Sequence, residues 1–401
     1  MSQVQVEQRS DLRSLDVFLI AALRRDDAAL LASAAALGRQ AWSLLVPACE
    51  RHGVTPWVTA SLRSAGVDVP TAQAEELSLR LRAHAMSSLR ITSELQRLTT
   101  LLDDAAVPWL TFKGPVLERF VYPDGRGRVF GDLDVMVSPA ALRRAFAVLE
   151  AGGAAEYPRD WTLVRVEGWA ETSWVLPLGT HLDLHWGVLG RPSIAESFRL
   201  DTESFLQRRR RVQLGSMVVP TLDATDQFAH LCVHAVLSGG SLLKHVLDVF
   251  VTAENDPPDW DELAVRAESS GTALPISVML QRVRTVFPDS PYRLDVGSKT
   301  WRWFMRAHNR VNPPVRSYGR HLARDYAISA TRSDARGSAR ALARTLNAEV
   351  VHPVLHDPTH PWRRALHIGS HAPRAVLPPP AHDQDERDRF LRELEMGAIE
   401  D

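Results

Sequence analysis

The stretch "VFGDLDVMV", residues 129–137, decides how the rest of the chain is read. Its apolar, β-branched composition is that of a buried strand, yet it carries Asp132 and Asp134 one residue apart. A carboxylate taken out of water is costly unless something offsets its charge. Side chains alternate along a strand, so Asp132 and Asp134 share one face while Leu133 and Val135 share the other. Two neighbouring carboxylates push each other toward protonation unless a cation lies between them. A divalent metal supplies that charge most simply, and magnesium favours one or two carboxylates together with substrate phosphates.

Two neighbouring stretches extend the pattern. Downstream, "HLDLHW" at 181–186 alternates strictly, placing His181, Asp183 and His185 on one face and Leu182, Leu184 and Trp186 on the other. A strand lying beside the first would bring Asp183 to Asp132 and Asp134, and three clustered carboxylates can hold two magnesium ions. Upstream, "TFKGPVLERF" at 111–120 places Lys113 and Gly114 at a strand-to-helix turn, where backbone N–H groups and an ammonium suit phosphate oxygens. Only three of the 47 basic residues are lysines, namely Lys113, Lys244 and Lys299, which marks them as places where a compact ammonium is preferred to a planar guanidinium. Arg128, four residues before Asp132, is placed to neutralise a triphosphate or to orient an acceptor.

Around this centre the periodicity changes twice. Apolar residues at three- and four-residue spacings predict helices over 11–64 and 74–104. Strands are expected at "VPWLTF", "VFGDLDVMV", "WTLVRV", "TSWVLPL" and "THLDLHWGVL", with short helices at "GPVLERFVY" and "SPAALRRAFAVLEAGG". In the second helix Ser138 suits the N-cap, Pro139 the first turn and Gly152 the stop. A connector over 191–220 carries the basic run at 208–211, read as a solvated face, and a strand pair in "VQLGSMVVP". Helical periodicity returns over 222–255, 258–286 and 298–345, and the proline- and charge-rich tail from 346 is expected to be largely loop before a last short helix. The predicted fold class is therefore α+β, a small mixed β-sheet domain at 106–190 between a helical N-terminal domain (1–105) and a helical C-terminal domain (191–345), with a tail at 346–401.

Bulk properties limit the function classes. A chain of 401 residues with 45% hydrophobic and 24% charged residues has material for a substantial core. A formal net charge of -1 gives no general attraction to nucleic acid or an anionic membrane, so nucleic acid and membrane partners are not expected and any anion must be held locally. Two cysteines, Cys49 and Cys232, form no framework or metal-type spacing, and the N-terminus has neither signal-peptide nor membrane-span character. A cytoplasmic protein is the expectation.

"FKG", Arg128, "GDLDV" and "HLDLHW" together resemble the uncharacterised nucleotidyltransferase group of the DNA polymerase β-like superfamily, and "DQFAHLCVHAVLSGGSLLKHVLDVF" resembles the helical segment that follows in that group. The likeness covers most of 30–260. Lys113-Gly114 stands where the wider superfamily has a Gly-Ser turn. The resemblance implies that Asp132 and Asp134 bind two magnesium ions, and that Asp183 binds the catalytic ion and helps deprotonate an acceptor hydroxyl. The implied reaction is in-line attack on the α-phosphate of a nucleoside triphosphate, with a small molecule, peptide or protein bearing a hydroxyl or phosphate as acceptor.

Other residues have alternative readings. Lys244 reaches the triphosphate tail or pairs with Asp248 on its own helix face. His230 and His234 have zinc-like spacing without the metalloprotease glutamate and read as a packed helix face. His181 and His185 either support Asp183 or are satisfied core groups, Trp109, Trp161 and Trp186 read as core, and His352, His356 and His360 lie in the expected loops of the tail. The competing functions are a non-catalytic nucleotide-binding or antitoxin-like protein and a metal phosphohydrolase built on His230, His234 and Asp248.

Overall fold

A computed structural model of the chain describes residues 3–123, 127–190, 198–238, 240, 242–294 and 383–400. The expected helices of the 298–345 segment and the tail histidines His352, His356 and His360 lie outside these residues.

The sheet is built around the acidic strand. β1 (Trp109–Phe112) pairs antiparallel with β2 (Asp132–Val137), which pairs in parallel with β5 (His181–His185). β5 pairs antiparallel with β4 (Glu171–Val175), and β4 with the two-residue β3 (Ala155–Glu156), giving the order β1-β2-β5-β4-β3 in a mixed five-stranded sheet. The fold is α+β, with helical regions on both sides of the sheet in sequence.

The helices before the sheet are α1 (Gln3–Arg24), α2 (Asp27–Ala35), α3 (Arg39–His52), α4 (Thr55–Ser64) and the 34-residue α5 (Thr71–Asp104). A short α6 (Gly114–Val116) runs into a single π turn at Leu117–Val121. Within the sheet domain lie α7 (Leu142–Ala151) and α8 (Trp161–Glu167). After it come α9 (Thr202–Arg208), the hairpin β6 (Arg210–Leu214) and β7 (Met217–Thr221), then α10 (Ala224–Leu237), α11 (Leu243–Asn255), α12 (Trp260–Ser270) and α13 (Ala273–Val286). α14 (Asp383–Glu400) closes the described chain. No described helix is long and apolar enough to cross a membrane.

One apolar core joins the early helices to the late ones: Leu15, Phe18, Leu45 and Val58 belong to the same buried cluster as Phe228, Val246, Leu280 and Val283. The two helical regions, far apart in sequence, thus bury their apolar stripes against each other. A second core lies under one face of the sheet. There Leu133, Val135, Leu182 and Leu184 meet the C-terminal half of α5, α7, α8 and α14. The other face carries the acids.

Three local expectations are corrected. "WTLVRV" is helix α8, because Trp161 and Val164 fall three residues apart on one buried stripe against Phe146, Trp186 and Phe390, while Val166 is exposed. β3 supplies the edge strand instead. Ser138 does not cap α7 with its side chain: a 3-10 turn at Pro139–Ala141 leads into the helix, and the Ser138 hydroxyl donates to Glu203. Gly152 follows the last residue of α7, but the left-handed residue is Gly153, and Gly152 instead allows close packing, since a Cβ there would lie 2.8 Å from Leu101 Cδ1. Trp109, Trp161 and Trp186 are core residues, and Cys49 and Cys232 are buried free thiols.

Candidate active site

Register brings the three acids to one face. β2 and β5 run in parallel with Asp132 opposite His181 and Asp134 opposite Asp183, so the alternation that puts Asp132 and Asp134 on one side puts Asp183 beside them. β1 places Phe112 opposite Asp134, and β4 places Ser173 opposite Asp183 and Glu171 opposite His185. The face therefore reads Phe112, Asp134, Asp183 and Ser173 across four strands.

The three carboxylates have different surroundings. Asp134 is buried, Asp183 is half-buried and Asp132 is exposed. Lys113 Nζ lies 3.2 Å from Asp134 Oδ1. His185 lies between two acids, with Nε2 3.5 Å from Asp134 and Nδ1 3.5 Å from Glu171. The Lys113 contact is a charge-assisted hydrogen bond, whereas the two His185 contacts are long for hydrogen bonds and act through charge. Burial alone would raise the Asp134 pKa, but Lys113 and His185 outweigh it and hold the carboxyl well below its ordinary range. His185 itself is pulled down by burial but held above its ordinary value by Asp134 and Glu171. Asp183 accepts the Ser173 Oγ–H at 2.7 Å, and burial, reinforced by the charges of Asp134 and Asp132, raises its pKa.

Lys113 reaches Asp134 through an unusual backbone. Its φ is 58° with ψ −136°, and Gly114 follows with φ 27°. The bend turns the chain off the end of β1 and brings Gly114 into van der Waals contact with β2, where a Cβ would lie 3.5 Å from the Asp132 carbonyl oxygen.

Arg128 faces a different partner from the one its sequence position suggests. Its Nε and terminal nitrogen donate to the two carboxylate oxygens of Asp248 on α11, at 2.9 and 3.1 Å, and the Tyr122 hydroxyl donates to the same carboxylate at 2.6 Å. All three side chains are buried. The expected Lys244–Asp248 pair is therefore replaced by Arg128–Asp248. Lys244 forms no ion pair among the described residues, and its stem packs on Gly53, where a Cβ would lie 2.8 Å from Lys244 Cδ. Burial and then the Arg128 charge lower the Lys244 pKa, with Asp248 and Asp132 pulling the other way. Lys244 thus shares the field of the acidic face without being committed to it.

Sequence reading missed Ser173 and Glu171, which carry no motif of their own and reach the site only through the pairing of β4 with β5. Tyr122 stands at the end of the "GPVLERFVY" stretch and reaches the cluster only through its bond to Asp248. His230 and His234 are not brought into a metal site. His230 packs edge-on against Phe112, its pKa lowered to about 3, chiefly by burial and then by Lys113, and His234 lies against His245. The four arginines at 208–211 are engaged rather than free: Arg208 with Asp226, Arg209 with the Leu206 carbonyl, Arg210 with Asp256 and Arg211 with Asp103.

An all-oxygen set of carboxylates is chemically what a hard divalent cation takes. In this conformation the acids do not close on one point, and among the described residues no group of three or more His, Cys, Asp or Glu side chains is gathered to hold a metal. The cation that meets Asp134 here is the Lys113 ammonium.

A search of curated proteins gave no match. The family profile matches residues 38–288, from α3 through the acidic sheet to the end of α13, well over half of the chain, and with the paired acidic strands inside that span the chain belongs to the uncharacterised nucleotidyltransferase family.

Proposed function

We propose that this transferase moves a nucleoside monophosphate from a nucleoside triphosphate to a hydroxyl- or phosphate-bearing acceptor, a small molecule, peptide or protein. The observation that carries this reading is the juxtaposition of Asp134 and Asp183 on parallel strands with Asp132 on the same face. A purely structural protein has little use for a buried acid beside a half-buried one on the same sheet face, whereas a site that handles phosphates and cations needs them. Asp132, Asp134 and Asp183 are the residues that would hold magnesium, which when bound supplies activation of the attacking oxygen and charge stabilisation at the phosphate.

The chain's own groups divide the work by position. Lys113 on the β1 side and Lys244 on α11 flank the acids with two ammonium groups suited to an anionic triphosphate. That leaves the opposite side, over β4, for the acceptor. There Ser173 fixes one oxygen of Asp183 and leaves the other to orient the acceptor's hydroxyl or take its proton. The acceptor oxygen forms a bond to the α-phosphorus as the bond to the bridging oxygen breaks, and pyrophosphate leaves. Arg128 ties the segment before β2 to α11 through Asp248, one helical turn from Lys244, and so fixes the helix that carries that lysine.

The test is pyrophosphate release from nucleoside triphosphates with magnesium and an extract as the source of acceptor, for wild type, Asp134→Asn and Asp183→Asn. Loss of release in both variants with unchanged nucleotide binding supports transfer. Nucleotide binding without release in the wild type would instead indicate a non-catalytic nucleotide-binding protein.

A further inference from the structure

We infer that Lys113 is an internal counter-cation, which holds the place of a divalent ion on Asp134 while the site is empty and passes to the triphosphate when the site fills. The inference rests on the nucleotidyl-transfer reading above and adds a coupling between metal and nucleotide that runs through one side chain.

Three observations converge on Lys113. Its ammonium is 3.2 Å from Asp134 Oδ1 with side-chain exposures of only 12% and 10%, so this contact is shielded from the water that weakens surface pairs. Among the described residues it is the only lysine or arginine paired with any of the three acids: Asp183 takes a hydroxyl from Ser173, and Asp132 has no ion pair. The backbone at Lys113 lies in a region that glycine adopts freely and lysine rarely does, so the surrounding structure holds a side chain there at a cost that glycine would avoid. A strained residue at such a point is one whose side chain is used.

The neighbours make the contact exchangeable. Lys113 has its ion partner in Asp134, whereas Lys244 on α11 packs its stem on Gly53 and has no ion pair among the described residues. A divalent ion arriving alone must displace an ammonium that has nowhere favourable to go. A triphosphate arriving with it offers oxygens between Lys113 and Lys244, and the ammonium leaves one anion for another. Metal and nucleotide then favour each other's binding beyond their direct contact, as linkage requires of any shared exchangeable group.

The experiment measures Mn2+ binding by calorimetry to the full chain without nucleotide, in wild type, Lys113→Gly, Lys113→Met and Lys113→Arg, with a non-hydrolysable triphosphate analogue as a second titrant. Glycine is the informative variant because it accepts the local φ while deleting the ammonium, and methionine keeps the stem. Both are expected to bind Mn2+ alone at least about tenfold more tightly than wild type and to bind the analogue at least about tenfold more weakly, within the usual range of coupling between sites. Lys113→Arg should keep Mn2+ binding near wild type, and adding Asp134→Asn to Lys113→Gly should abolish the gain. Unchanged or weaker Mn2+ binding in the glycine and methionine variants, with circular dichroism and melting preserved, would overturn the inference while leaving nucleotidyl transfer standing if wild type binds Mn2+ with the analogue. Absence of Mn2+ binding in every protein, with or without the analogue, would remove both.

Discussion

Replacing Asp248 by asparagine would isolate what Arg128 does. The carboxylate accepts two guanidinium bonds at 2.9 and 3.1 Å and the Tyr122 hydroxyl at 2.6 Å, with side-chain exposures of 7% for Arg128 and 3% for Asp248. Asp248→Asn keeps the shape but leaves the guanidinium charge buried without a partner and turns an amide N–H toward a donor. Removing one member of a buried pair costs about 3–5 kcal/mol, which is a hundredfold or more in the folding equilibrium. Urea denaturation followed by circular dichroism measures the loss directly. The double variant Arg128→Met with Asp248→Leu removes both charges and should recover most of it, apart from roughly 1–3 kcal/mol for the stranded Tyr122 hydroxyl, which Tyr122→Phe then restores. A loss under about 1 kcal/mol for Asp248→Asn, or a double variant worse than the single, would refute the structural role given to this pair. Arg128→Met that abolishes nucleotide binding at unchanged stability would return the guanidinium to the substrate.

Other consequences follow from the same contacts. The Glu156 carboxyl is pushed up from 4.5 to about 7, chiefly by burial and against the pull of Arg387. A raised acid destabilises the folded state progressively as pH rises through that interval, so Glu156→Gln should gain on wild type between pH 5 and pH 8, by at most about 3 kcal/mol, and a pH-independent difference in urea midpoint would contradict this. Phe390 on α14 packs against Trp161 and Trp186 with ring centroids 5.5 and 5.7 Å apart. Phe390→Ala should cost about 3 kcal/mol and red-shift tryptophan emission, and unchanged fluorescence would show that α14 does not dock there. Gly53→Ala places a Cβ against the Lys244 stem at a φ of 64°, so nucleotide affinity should fall several-fold alongside roughly 1 kcal/mol of stability, and a titration matching wild type would release Lys244 from the site.

How far the sequence foretold these contacts depends on their range. The acidic face was legible because strand alternation is local: once Asp132, Asp134 and Asp183 were read as strand residues, their common side followed, and only the pairing of β2 with β5 remained to be found. "WTLVRV" misled because β-branched residues favour strands, and only the distant Phe146 and Phe390 make Trp161 and Val164 a helical stripe. Lys244 and Asp248, one helical turn apart, suggested a local pair, yet Arg128, 120 residues away, takes the carboxylate because a planar fork matches two oxygens. The helical regions before and after the sheet read as separate units, although Phe18 and Val283 belong to one core. The strained φ of Lys113 left no trace in sequence, since no residue type announces an unfavourable backbone.

Paired incubations with α-labelled and γ-labelled nucleoside triphosphate, magnesium and an acceptor extract address the central claim most directly. Label from the α position should appear in an acceptor adduct with release of unlabelled pyrophosphate, label from the γ position should appear only in pyrophosphate, and Asp134→Asn should lose both signals. Transfer of the γ label to an acceptor, or its release as orthophosphate, would show a different phosphorus chemistry on this sheet.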